Sequence, residues 1–302
     1  MVDKKVVFQE IMEEKDQHHP TRKKLYNRIN KLLGVPVISY FTSFHYPVMI
    51  NNSDADLLEG LLQKTDVGKG FARLISSPGG DGLAAERIIN ICRAYSGTNE
   101  YSAIIPGKAK SAATMICLGA SKMMMSETSE LGPIDPQYEQ IDESGKSEIY
   151  SAYSMIMSYK KIFERAITST GRMEPFLQAL NTYDAKQIEL CITELELSQD
   201  IAVKALKSGM LSQLDEEEIV KKIKIFLIPK ETKVHGRPIY YKDIKDSDLN
   251  IEIIELKDEL WSLIYELYLR LNIYTTTNNI GKCLESEYQS FTAKITKGGK
   301  QT

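Results

Sequence analysis

Cysteine is scarce here, and its spacing is uninformative. Cys92, Cys117, Cys191 and Cys283 are scattered through 302 residues with no CxxC pair. That pattern excludes the usual zinc spacing and predicts reduced thiols, with Cys92 and Cys117 packing as small hydrophobes. No metal site and no cofactor is expected. Charge of one sign is also missing: 38 Lys and Arg face 41 Asp and Glu, for a net charge of −3 and a pI near 5.9. Such a balance gives nucleic acid no electrostatic footing. Long apolar runs are absent too. The longest, Ala112 to Ala120, is far too short to span a bilayer, and Met1-Val2-Asp3-Lys4-Lys5 opens a charged stretch without the apolar core of a signal peptide. The sequence therefore predicts a cytoplasmic protein with no membrane span. There is no internal repeat, and a single tryptophan, Trp261, is read as a core or interface anchor.

What is present suits a globular α/β protein. Apolar residues make up 42% and charged residues 26% of the chain, enough for a substantial core. Between residues 35 and 125, β-rich runs such as Val37-Ile38-Ser39-Tyr40-Phe41 alternate with helical patterns. That alternation argues a mainly parallel sheet flanked by helices, with sites in the turns that follow the strands. A charged helical arm is expected over 1–33, a central domain over 34–250, and a C-terminal helix with a polar, frayed tail over 251–302. The apolar side of residues 251–271 is expected to join copies of the chain into a homo-oligomer.

The most informative segment is Leu74-Ile75-Ser76-Ser77-Pro78-Gly79-Gly80-Asp81-Gly82. It reads as a strand, a sharp turn, and a helix carrying Ile88, Ile89, Ile91 and Cys92. Two consecutive glycines let backbone approach a bound group and leave its N–H groups unobstructed, and the helix start adds partial positive charge. Pro-Gly-Gly is also an ordinary turn. A second segment, Pro106-Gly107-Lys108-Ala109-Lys110-Ser111-Ala112-Ala113-Thr114, places a serine among small residues at the start of a buried helix. This follows the mechanical logic of a nucleophile elbow, although Gly-x-Ser-x-Gly is missing. Ser111 as a plain helix N-cap is the alternative. A nucleophilic serine needs a base and two oxyanion donors, for which the amides of Gly80 and Ala112 are the natural candidates.

Ser-Ser-Pro-Gly-Gly, then Ala-Lys-Ser-Ala-Ala-Thr, then Leu131-Gly132-Pro133-Ile134-Asp135-Pro136-Gln137 together resemble the Clp protease/crotonase superfamily. Within it, the match is to the serine dehydrogenase proteinase family, relatives of signal peptide peptidase A. The resemblance covers about Val35 to Leu249. It implies a repeated ββα spiral and an ATP-independent serine peptidase acting on peptides or unfolded protein. It assigns Ser111 as nucleophile and Gly80 and Ala112 as oxyanion donors, with the substrate strand pairing beside Gly79-Gly80.

Two bases are consistent with the superfamily. Signal peptide peptidase A relatives use a lysine downstream of the serine, and Lys160 and Lys161 fall in that window. Lys160 borders the apolar stripe of Met155, Ile156, Tyr159, Ile162, Phe163 and Ala166, where desolvation would lower its pKa; Lys161 points away. Clp peptidases use a histidine, but Asp135 stands at that place here. His235, just before Arg237-Pro238-Ile239, stands where the Clp aspartate is expected. A Ser111–His235–Asp135 triad with exchanged positions is chemically sound, because roles follow geometry and not chain order. Asp135 as a loop-bracing carboxylate and His235 as a turn residue are the bland alternatives. Two other functions share the fold: a crotonase-type acyl-CoA enzyme, and an inactive scaffold without a competent base.

Overall fold

The computed structural model describes residues 7–14, 17–97, 99–141, 145, 147–228 and 236–295. Its centre is a seven-stranded sheet. Strands β1 (Val37–Thr42), β2 (Phe71–Ser76), β3 (Tyr101–Ile105), β5 (Lys122–Met125) and β9 (Ile251–Ile253) run parallel in that spatial order. On the other side of β1, β10 (Ile280–Glu285) and β11 (Ser290–Lys294) add antiparallel strands. β1 and β2 are buried at every position, as expected for parallel strands covered on both faces.

Side-chain alternation divides the core in two. One face of the sheet, with Ile38, Tyr40, Ile75, Ala103 and Met123, packs against α3 (Asn52–Leu62), α4 (Gly82–Ser96), α5 (Ala112–Leu118) and α8 (Ala185–Lys207). The other face, with Val37, Phe41, Leu74, Ile104 and Met124, packs against α2 (His19–Leu33) and α12 (Glu259–Thr277). Local chemistry sets the helix ends. Asn51 caps α3 in a reciprocal box with Asp54, and Asp81 caps α4 by accepting from the N–H groups of Leu83 and Ala84.

A second tier of short strands stands beyond the C-terminal ends of the parallel strands. β4 (Lys108–Ala109) pairs with β6 (Glu130–Leu131), Ser77 bridges Ala109, and Leu131 bridges Ile239. The pattern of long strand, short strand and helix occurs from β2 through Ser77 to α4, and again from β3 through β4 to α5. It is the ββα repeat that the family resemblance implies.

Three expectations about the ends of the chain are corrected. α2 is no separate arm, because its Leu25, Tyr26 and Ile29 belong to the sheet's second core. The apolar side of α12 faces inward: Trp261, Leu263, Ile264, Leu267 and Leu271 are buried against α2 and the sheet, so this stripe covers the chain's own core and does not join copies. The polar C-terminal segment is β-structure up to Lys294, since β10 holds its charges in buried pairs. Arg22 donates twice to Glu285, at 2.7 and 2.6 Å, with both side chains fully buried. Lys282 donates to Asp54 at 2.7 Å, and Tyr40 donates to the same carboxylate.

β7 (Gln137–Ile141) and β8 (Ser147–Ser151) form a hairpin leading to α6 (Ala152–Thr168) and α7 (Glu174–Leu180). α6 packs on α8 through a small cluster around Ala152, Ile156 and Cys191. Among the described residues no helix is long and apolar enough to cross a membrane.

Candidate active site

The glycine bend is threaded between two pieces of backbone. Gly79 and Gly80 have φ of +109° and +153°. A Cβ on Gly79 would lie 2.7 Å from both the Lys110 carbonyl oxygen and the Ser111 Cβ; one on Gly80 would lie 2.3 Å from the Ile50 nitrogen. Only glycine fits at either position. Ile50 donates its N–H to the Gly79 carbonyl at 2.9 Å and accepts from the Asp81 N–H at 3.0 Å. Those bonds flank Gly80 on the Ile50 side, so the N–H of Gly80 points to the opposite edge, as in any parallel ladder.

Ser111 sits at the turn from β4 into α5 with φ +50° and ψ −123°. L-residues rarely occupy this region, and strained residues of this kind cluster at active sites. The Ser111 side chain makes no capping bond, which removes the N-cap alternative. Ser77 bonds to both sides of Ala109, donating its N–H to the Lys108 carbonyl at 3.1 Å and accepting from the Lys110 N–H at 3.0 Å. Buried Thr114 donates to the Ala109 carbonyl at 2.8 Å and accepts from the Gly132 N–H at 3.1 Å. The Lys110 ammonium donates to the Leu131 carbonyl at 2.9 Å and pairs with Glu130 at 3.0 Å. Burial pushes its pKa down while Glu130 opposes the shift. Thus Leu131-Gly132 clamps the elbow from behind, which explains why those strings occur together.

The bend and the elbow face a cavity of about 600 Å³. Gly79, Gly80, Ser111 and Ala112 all line it, so the candidate nucleophile and both candidate donors meet there. Among the described residues neither the Gly80 N–H nor the Ala112 N–H donates to a protein acceptor. Two unobstructed amides beside a strained serine are what an oxyanion hole requires.

The base candidates fare differently. Lys160 and Lys161 are both exposed on α6, and neither lines the cavity, so in the free chain Lys160 lacks the desolvation expected at the border of the apolar stripe. Its helix is too thinly covered to bury a lysine: only Ala152, Ile156 and Ala166 of α6 are buried. Asp135 is 1% exposed and lines a smaller cavity of about 190 Å³ behind the wall, although its neighbours Ile134 and Pro136 line the larger one. His235 lies outside the described residues. No lysine or histidine lines the cavity among the described residues, and none of these residues forms a cluster suited to a metal.

Much of the cavity wall escaped sequence reasoning. The loop from Phe44 to Met49 forms one side, and Glu194, Leu197, Ser198 and Ile201 of α8 form another. The 194, 197, 198, 201 spacing marks one helix face, but nothing in that spacing says that the face meets Ser111.

A family model described as the ClpP-like SDH-type serine proteinase matches residues 4–161, just over half of the chain, and takes in the glycine bend, Ser111 and Asp135. Two uncharacterized proteins of Methanocaldococcus jannaschii are similar in sequence. One is 32% identical over 109 residues, covering 36% of this chain and 34% of that relative. The other is 26% identical over 215 residues, covering 69% of this chain and 64% of that relative. The chain thus spans about a third of the first relative and just under two thirds of the second.

Proposed function

The chain belongs to the ClpP-like SDH-type serine proteinase family, and on that premise we propose that it is a serine endopeptidase with Ser111 as its nucleophile. The observation carrying this reading is the strained Ser111, free of any capping bond, beside two amides without protein acceptors. In the proposed reaction a peptide lies extended along the free edge of Gly80. Ser111 Oγ attacks the scissile carbonyl while a base takes its proton. The resulting oxyanion accepts from the Gly80 and Ala112 N–H groups. The same base returns the proton to the leaving amine, and water then hydrolyses the acyl-enzyme.

No lysine or histidine is among the described residues that line the cavity, so the lining does not name the base. Lys160 and His235 are the two candidates carried forward, with Asp135 as orienting acid in the second case. We also propose that the chain self-associates. Phe163 and Ile167 of α6 and Leu177 of α7 are exposed, whereas Leu263, Ile264, Leu267 and Leu271 of α12 are buried. Exposed apolar side chains such as these are the positions a contact surface would use.

The test is cleavage of a quenched-fluorescent peptide library by the wild type, Ser111→Ala, Lys160→Ala and His235→Ala. Loss of cleavage in Ser111→Ala supports the peptidase, and loss in one of the other two names the base. Wild-type protein that leaves every peptide intact, or activity that survives Ser111→Ala, refutes the assignment; the second result favours acyl-CoA chemistry at the same oxyanion hole.

A further inference from the structure

The cavity beside Ser111 is electrostatically one-sided. Its ionisable acids are Asp81 and Glu194, and no lysine, arginine or histidine lines it among the described residues. Asp81 is engaged, since its carboxylate caps α4. Glu194 is half-buried and makes no hydrogen bond or ion pair to any described residue. Its charge acts instead on Tyr138 and Cys191, neutral neighbours whose pKa values it helps to raise. A partly desolvated carboxylate that faces a cavity without a partner is suited to a cation brought in by a ligand.

The wall is graded. Ile201, 2% exposed, sits at the inner end, where its Cδ1 would lie 3.7 Å from a Cβ on Gly82, close to the glycine bend. Ser198 is also buried, while Leu197 and Glu194 are half-buried. Glu194 is two helical turns from Ile201, roughly 10 Å along α8. An extended peptide advances about 3.3 Å per residue. In a peptide that runs alongside α8, a side chain about three residues from the bond cut comes level with Glu194; Met115 and Ile201 line the same cavity beside Ser111.

We infer that Glu194 is a specificity-determining residue that selects peptides carrying lysine or arginine about three residues from an apolar residue at the scissile bond. This rests on the reading of Ser111 as the nucleophile, and the experiment separates the two. Peptides of one sequence, with arginine, glutamine or glutamate placed at each position up to four residues from the bond, are compared as substrates of the wild type, Glu194→Gln and Glu194→Lys. Their binding to Ser111→Ala and to Ser111→Ala/Glu194→Gln is followed by fluorescence anisotropy.

The expected kcat/KM ratio of arginine to glutamine at one position is about tenfold in the wild type, the scale of one partly buried charge pair. It falls to near one in Glu194→Gln, and Glu194→Lys prefers glutamate there. Cleavage without a charge preference, or a preference that Glu194→Gln leaves intact, overturns the inference and leaves the peptidase standing. Charge-selective binding to Ser111→Ala that is lost in the double variant, with no cleavage by the wild type, supports Glu194 and overturns the peptidase. Absence of both binding and cleavage overturns both.

Discussion

Replacing Ser111 with glycine should silence the site and strengthen the fold. At φ +50° and ψ −123° the Ser111 Cβ is held in a conformation that costs about 1–3 kcal/mol for an L-residue. Glycine removes that strain but adds freedom to the unfolded chain, worth about 0.5–1 kcal/mol in the opposite direction. The hydroxyl makes no bond to a described residue, so glycine forfeits none. The net is about 1 kcal/mol in favour of Ser111→Gly over Ser111→Ala, because alanine keeps the Cβ and the strain. In a chain of this size that corresponds to roughly 1–2 °C in Tm. Urea and thermal unfolding of wild type, Ser111→Ala and Ser111→Gly would measure it, with peptide turnover lost in both variants. A glycine variant no more stable than the alanine variant would show that the elbow stores no strain and that the serine is not held ready for attack.

The clamp behind the elbow gives a second prediction: Thr114→Val leaves the Ala109 carbonyl and the Gly132 N–H unpaired, destabilises the fold by about 1–3 kcal/mol in urea melts, and lowers turnover. Unchanged stability and rate would remove the clamp from the account. Arg22→Met strands the buried Glu285 carboxylate and should lose about 3–5 kcal/mol, most of it recovered in Arg22→Met/Glu285→Leu; equal stability of the two variants contradicts that pairing. Phe163→Glu/Ile167→Glu should shift the mass measured by light scattering from several chains to one. A mass that is the same for wild type and variant rules out that surface.

Features set by neighbours in sequence were legible in advance. Strand, paired glycines and helix follow one another within a dozen positions, and the serine with its small neighbours announces its own turn. Long-range features were hidden for physical reasons. An apolar stripe such as that of residues 260–271 looks the same whether it covers its own sheet or another subunit. β10 was masked by Lys282 and Glu285, whose charges are neutralised by Asp54 and Arg22 from distant parts of the chain. The stripe of α6 suggested cover for Lys160, but α8 and α7 leave that position exposed. The α8 wall of the cavity meets Ser111 only after the chain has passed through the β7–β8 hairpin and two further helices.

The central claim is that Ser111 is a nucleophile served by the amides of Gly80 and Ala112. A fluorophosphonate probe with mass mapping of the adduct tests it most directly, because the phosphonyl oxygen occupies the oxyanion position once the serine has attacked. One adduct per chain on the peptide containing Ser111, abolished in Ser111→Ala, is the predicted result. A folded wild-type protein that takes no label, or one whose labelling persists in Ser111→Ala, contradicts it.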